Sequence, residues 1–239
     1  MISKNELKYI QSLYHKKVRE ETGLFVAEGA KLVNELLHSD FVVKKLYAVK
    51  EWRAPVDFDA LNIIEQFELE KISNLSTPNQ VLALVEQKKL LQEPVQKNNL
   101  VLVLDGIQDP GNLGTIIRIA DWFGITQIVA SEDTADIYNS KVVQSTMGSI
   151  IRVNAWYKNI EQWLKIATAP VYGALLNGVN IYETPKISEG ILVIGNESKG
   201  IRSNILPYIQ HVITIPAKGN AESLNAAVAT GIILSHLLK

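Results

Sequence analysis

The sequence predicts an α/β protein in two parts: a small N-terminal α/β sandwich and a C-terminal parallel α/β domain. Three observations predict this. Short apolar runs of strand length alternate with amphipathic segments along the chain. A polar stretch containing a proline, LQEPVQKNN at Leu91–Asn99, separates two such series. The run that follows, LVLVLD, is almost wholly Leu and Val, which suits a strand buried on both faces of a parallel sheet. The boundaries drawn from this pattern are 1–92 for the first domain, 93–99 for the linker and 100–239 for the second domain.

In the first domain, a polar helix is expected over Lys4–Leu13. LFVAEG at Leu24–Gly29 alternates as a strand does. Ala30–His38 places Leu32, Val33, Leu36 and Leu37 on one helical face. KKLYAV at Lys44–Val49 and VLALVEQ at Val81–Gln87 are strand candidates, and Ile64–Leu75 reads as a strand followed by a helix. In the second domain, strands are expected at Leu100, in TQIVAS, and at Val171–Leu176, Gly190–Glu197 and His211–Pro216. Helices are expected between them, with a last one over Ser223–Leu238.

Composition narrows the function. The chain has 239 residues, of which 47% are hydrophobic and 21% charged, enough for packed cores and against disorder. With no cysteine, disulfides, thiolate nucleophiles and zinc–cysteine sites are excluded. No secretory leader is evident at the start, and no uncharged apolar run approaches the roughly 18 residues of a membrane span, so a cytoplasmic protein is expected. The net charge of −1 neither favours nor excludes a nucleic-acid partner. The four histidines show no metal-ligand spacing, so no metal is assigned. Most of the four tryptophans, Trp52, Trp122, Trp156 and Trp163, are assigned to core or interface packing rather than base stacking.

Three loops carry chemistry. The first, DGIQDPGNLGTIIR at Asp105–Arg118, leaves a buried strand and opens a helix. Pro110 and Gly111 make the turn, and Asn112 can cap the helix or bind a substrate oxygen. Six residues along a helix is about 240° around its axis, so Asn112 and Arg118 do not share a face if both are helical. A capped helix with a solvated arginine is the plain alternative. The second loop, IGNESKG at Ile194–Gly200, ends a strand in Gly-Asn-Glu; Glu197 is either a functional carboxylate or a helix-start charge. The third, IPAKGNAESLN at Ile215–Asn225, is irregular and leads to an apolar helix for which Ser223 is a fair N-cap. Gly231 lowers that helix's propensity by about 1 kcal/mol relative to Ala, which a close packing contact would justify.

In this order and after these strands, DPGNLGTIIRIADWFGI, IGNESKGI and IPAKGNAESLNAAVATGI resemble the three motifs of the SpoU (TrmH-like) RNA 2′-O-ribose methyltransferases of the SPOUT superfamily. SLYHKKVREETGLFVAEGAKLVNELL is similar to that family's N-terminal substrate-binding domain, which has a ribosomal-protein-like fold. The sequence departs modestly from the pattern, with Ala226–Ala227 where many members have Val-Ser, and Ser198 for a common Gly.

The resemblance implies a trefoil knot in the C-terminal domain, something no pattern rule would propose. It implies S-adenosylmethionine as cofactor, with Gly195, Ile215 and Leu224 at cofactor-contact positions. Asn112, Arg118, Glu197, Ser223 and Asn225 fall on active-site positions. It also implies a homodimer with its active site near the subunit interface. The activity implied is methyl transfer to a ribose 2′-hydroxyl of RNA, with ribosomal RNA preferred to transfer RNA.

The family mechanism makes Arg118 the base. Arginine, however, loses its proton only above about pH 12. A guanidinium that binds the phosphate beside the target ribose, with water or phosphate taking the proton, needs no such loss. Lys16, Lys17 and Arg19 form a basic cluster read either as RNA phosphate contacts or as a solvated helix face. A non-catalytic RNA-binding protein of ribosome assembly is the alternative function; the joint presence of the five active-site residues argues against it. A nucleotide-dependent oxidoreductase is disfavoured because no Gly-rich fingerprint follows LVLVLD.

Overall fold

The computed structural model describes residues 2–238. They form two compact units. The first comprises the chain up to Lys89 together with Asp136–Ile151; the second comprises Leu90–Ala135 and the chain from Arg152 onward.

In the first unit the chain forms α1 (Lys4–Ser12), α2 (Lys16–Thr22), β1 (Leu24–Glu28), α3 (Ala30–Leu37), β2 (Val43–Ala48), β3 (Leu61–Ile63), α4 (Gln66–Ile72) and β4 (Val81–Glu86). The sheet order is β1-β4-β2-β3. Both β4 pairings are antiparallel, and β2 pairs with β3 in parallel. The expected strand at Ile64 lies three residues earlier, because Glu65 begins a capping box with Glu68 that commits the following residues to helix. Ile10, Leu13, Leu69 and Ile72 pack with Val26, Tyr47, Leu82 and Leu84 of the sheet.

Helix α2 carries no periodic apolar signal, and Gly23 in the left-handed region stops it after seven residues. The buried carboxylate of Glu28 accepts from Tyr14 Oη at 3.0 Å, from Ser73 Oγ and from the Asn74 amide at 3.2 Å, which offsets its removal from water. Burial, and after it the Glu28 charge, push the Tyr14 hydroxyl pKa up. The later segment Asp136–Ile151 returns to this unit. It adds a short helix over Ser140–Ser145 beside β1 and sets Tyr138 against Phe25, with ring centroids 4.7 Å apart.

The second unit contains β5 (Leu100–Asp105), α5 (Pro110–Trp122), β6 (Gln127–Ala130), then, after α6 (Ser140–Ser145) in the first unit, β7 (Asn154–Tyr157), α7 (Ile160–Lys165), β8 (Val171–Asn180), β9 (Gly190–Gly195), β10 (His211–Thr214) and α8 (Ala226–Leu237). The strand order is β10-β8-β9-β5-β6-β7, with every pairing parallel. All six residues of β5 are buried, as its composition requires.

Strand β7 is absent from the sequence expectation. It is a four-residue edge strand, half-buried throughout, so its sequence lacks a strong apolar signature. Strand β8 runs past its expected end. Val212 pairs with Gly173 but Ile213 pairs with Val179, so residues 174–178 stand outside the ladder. Gly178 permits this excursion, since a Cβ there would lie 2.7 Å from the Val212 carbonyl carbon and oxygen. Helix α8 packs on α5, where Ile119 sits beside Gly231. That packing does not require glycine: a Cβ would meet Ile119 Cδ1 at an ordinary 3.6 Å. No helix among the described residues is long and apolar enough to cross a membrane.

Candidate active site

Strands β5 and β9 are neighbours, with Asp105 opposite Gly195, so the first and second motif loops leave the sheet side by side at its carboxyl edge. Ligands of parallel α/β sheets bind at such edges. Gly106 turns the chain with φ +76°, and its amide donates to Ser131 Oγ at 2.9 Å. The Ser131 hydroxyl, and after it the Arg202 charge, hold the nearby Asp133 carboxyl below its usual range.

Helix α5 starts with Asp109 as its cap. The Asp109 carboxylate accepts from the Asn112 amide at 2.8 Å, and Pro110 occupies the first turn. Asn112 is therefore not the cap. It lies inside the first turn, and its side chain is available to bond elsewhere. Its Nδ2 donates to Glu197 Oε1 at 2.5 Å, and its Oδ1 accepts from Asn225 Nδ2 at 2.8 Å. Asn225 is in turn the cap of α8, its Oδ1 accepting from the amides of Ala227 and Val228 at 3.0 and 3.2 Å.

Ser223, the cap expected from sequence, stays exposed in the preceding loop, and the helix begins three residues later than anticipated. An asparagine side chain two residues before the first free amides satisfies both of them, which Ser223 is too far back to do. The result is a directional relay from the α8 N-terminus through Asn225 and Asn112 to Glu197. It joins all three motif loops.

The second loop is tightly closed. Asn196 Nδ2 donates to the Gly106 carbonyl at 2.7 Å, while Asn196 Oδ1 accepts from the Ser198 and Lys199 amides at 3.0 and 3.1 Å. Gly195 is required by the closure, since a Cβ would overlap the Gly200–Ile201 backbone. Ile215 is half-buried beyond β10, and Leu224 is exposed. All three expected cofactor positions thus present main chain or apolar groups at loop turns. A ligand held mainly by backbone groups fits such a surface.

Arg118 is not brought to this cluster. Both Asn112 and Arg118 are inside α5, so their side chains point about 120° apart around the helix axis. Arg118 is exposed and has no hydrogen-bond or ion-pair partner among the described residues. It shares a face with Trp122, one turn on, which is 86% exposed.

In the first unit, Lys16 and Lys17 are exposed and pair only loosely with Glu20 and Glu21, at 3.7 and 3.9 Å. Arg19 departs from its expected role as a phosphate contact. It is 2% exposed, and its guanidinium donates to Asp136 Oδ2 at 3.0 and 2.6 Å and to the Leu13 and Tyr14 carbonyls at 3.0 and 2.9 Å. A buried guanidinium with four of its five N–H groups committed to a carboxylate and two carbonyls is not accessible to RNA. Sequence reasoning also missed Asp105, Asp109, Asn196 and Arg202. Only Asp109 carried a local signal, an acid immediately before Pro-Gly at a helix start.

Comparison with known proteins points to one family. Residues 99–235 match the SpoU rRNA methylase family, and residues 4–83 match an MRM3-like substrate-binding domain. The chain is 34% identical over 234 residues to the 23S rRNA (guanosine(2553)-2′-O)-methyltransferase RlmP of Bacillus subtilis, covering 95% of this chain and 93% of that protein. Among solved structures, a TrmH-family protein from Porphyromonas gingivalis superposes with a TM-score of 0.90 at 38% identity, covering 100% of this chain and 98% of the other. An AdoMet-bound rRNA methyltransferase from Sinorhizobium meliloti superposes with a TM-score of 0.87 at 30% identity, covering 100% and 98%.

Proposed function

Because the chain belongs to the SpoU rRNA methylase family, we propose that it transfers a methyl group from S-adenosylmethionine to a ribose 2′-hydroxyl of ribosomal RNA. The observation that carries this reading is the Asn225–Asn112–Glu197 relay, which draws the three motif loops into one site.

When bound, S-adenosylmethionine would supply an electrophilic sulfonium methyl for the ribose oxygen, with the neutral thioether as leaving group. Gly195 at the end of β9, and Ile215 and Leu224 after β10, would hold it through main-chain and apolar contacts. In the proposed knot the loops after these strands thread past one another. Asn112, Asn225 and the exposed Ser223 orient the ribose by hydrogen bonds, and prior alignment supplies several kcal/mol of the barrier. Glu197 fixes the Asn112 amide and so its acceptor oxygen. Arg118 binds the phosphate next to the target ribose and favours loss of the hydroxyl proton to water or phosphate.

Because Arg118 faces away from the relay on its own helix, a second copy of the chain is the simplest way to bring the two together. The exposed Trp122 beside Arg118, and Leu224 and Val228 at the start of α8, are apolar surface of the kind such a homodimer covers. The first unit binds the RNA, with Lys16 and Lys17 on phosphates.

The test is transfer of labelled methyl from S-adenosylmethionine to ribosomal RNA fragments, with 2′-O-methyl mapping in RNA from a deletion strain. Arg118→Ala is expected to abolish transfer while leaving cofactor affinity nearly intact, and Arg118→Lys to keep partial activity. Full 2′-O-methylation in the deletion strain, or loss of cofactor binding in Arg118→Ala, would reject these assignments.

A further inference from the structure

The loop that presents Glu197 is fastened at two points. At its start, Gly195 is still in register with Asp105, and Asn196 is hydrogen bonded to the Gly106 carbonyl. Asn196 and Gly200 exchange backbone hydrogen bonds at 3.1 and 2.9 Å. The second fastening comes after the loop has closed. The Arg202 amide donates to Asp105 Oδ2 at 2.8 Å, its Nε donates to Asp105 Oδ1 at 2.5 Å, and its Nη2 pairs with the same oxygen. The Asp105 side chain is fully buried, whereas that of Arg202 is 44% exposed, with Nη1 3.5 Å from Asp133.

A buried carboxylate is stable only when paired and hydrogen bonded. Residue 202 fills both oxygens of Asp105, once through its backbone and once through its fork. That double engagement admits one placement of residue 202 relative to the end of β5. Asp105 and Asn112 flank the same turn, so whatever fixes residue 202 to Asp105 also fixes the reach from Glu197 to Asn112.

We propose that Asp105 and Arg202 are positioning residues of the active site: a buried latch that holds the 196–201 loop so that Glu197 meets Asn112. Their effect on methyl transfer rests on the function proposed above; the positioning itself does not. Arg202→Ala removes the fork but leaves the backbone bond, so the loop loosens while Gly195 stays in the sheet. Arg202→Lys keeps the charge and loses the paired geometry.

The experiment uses the full chain. The Asn112 side-chain amide is followed by NMR, and hydrogen exchange of the Ser198 and Lys199 amides is measured, both without RNA or cofactor. In Arg202→Ala the Asn112 resonance should move toward that of a free asparagine, and the two loop amides should exchange roughly tenfold faster. Arg202→Lys should lie between. With ribosomal RNA fragments and saturating cofactor, kcat should fall roughly 10- to 100-fold, with the KM for RNA near that of the native chain.

An unmoved Asn112 resonance with loop amides still protected overturns the proposal. So does a raised KM for RNA with an altered salt dependence and no change in the loop, which would make Arg202 a phosphate contact. If Arg202→Ala does not fold, Arg202→Lys is read by the same criteria. If the native chain methylates no RNA, the NMR and exchange results still decide the latch, and the failure falls on the proposed function alone.

Discussion

Replacing Arg19 by methionine tests whether its guanidinium is a structural tie or an RNA contact. Methionine retains much of the buried stem and removes the five donors. The Asp136 carboxylate, 16% exposed, then loses its cation, and the Leu13 and Tyr14 carbonyls lose donors. Asp136 Oδ1 keeps its hydrogen bond from the Tyr138 amide at 2.9 Å, so the site is not wholly stripped. Breaking one side of a buried ion pair costs about 3–5 kcal/mol, and this pair belongs in that range. Urea unfolding followed by circular dichroism should show the first unit's midpoint falling by roughly 1–2 M, at a slope of about 3 kcal/mol/M. Asp136→Asn should behave similarly, and the double variant should be less than additive because the two share one interaction. Lys16→Gln and Lys17→Gln, on exposed pairs, should change stability by no more than about 0.5 kcal/mol. A stability change below about 1 kcal/mol in Arg19→Met, accompanied by weaker RNA binding, would refute the reasoning and return Arg19 to the RNA surface.

Asn112→Ala should lower the single-turnover methylation rate by roughly tenfold or more, since it breaks both links of the relay, with melting temperature nearly unchanged. Gly195→Ala should weaken S-adenosylmethionine binding in calorimetry, because its Cβ would displace the Gly200–Ile201 backbone, whereas Gly231→Ala should fold normally and gain about 0.5–1 kcal/mol of helix propensity. Neutralising Lys16 and Lys17 together should reduce the salt slope of RNA binding by about 0.7 for each single-strand phosphate that they neutralise, measured by titration across a salt series. Glu6 is held below the usual carboxylate range first by its hydrogen bond from Lys45 and then by that from Tyr47. Its folded-state pKa is thus depressed, so its contribution is complete above the unfolded value and disappears as pH falls through the folded one. Acid titration of stability should show this decline below about pH 4.5, and Glu6→Gln should flatten it.

The sequence by itself determined the strands whose burial leaves no choice. LVLVLD can satisfy its apolar side chains only at the centre of a sheet covered on both faces, and β5 lies there. The three motif loops follow from local chemistry too: Pro110 and Gly111 at a helix start, the glycine-bounded turn at 195–200, and the irregular 215–225 segment. Tertiary structure decided which side chain does what within them. Asn112, Asn225 and Ser223 are all competent caps by type. Asp109 and Asn225 cap α5 and α8 locally, and only the meeting of those helices with the second loop links Asn112 to Asn225 and Glu197. Arg19 and Arg202 look like ordinary surface cations in sequence, yet each is fixed by an acid 117 or 97 residues away. Hydrophobic periodicity is a local quantity and can be counted along the chain. A buried charge is stable only beside its partner, and that partner is chosen by the fold.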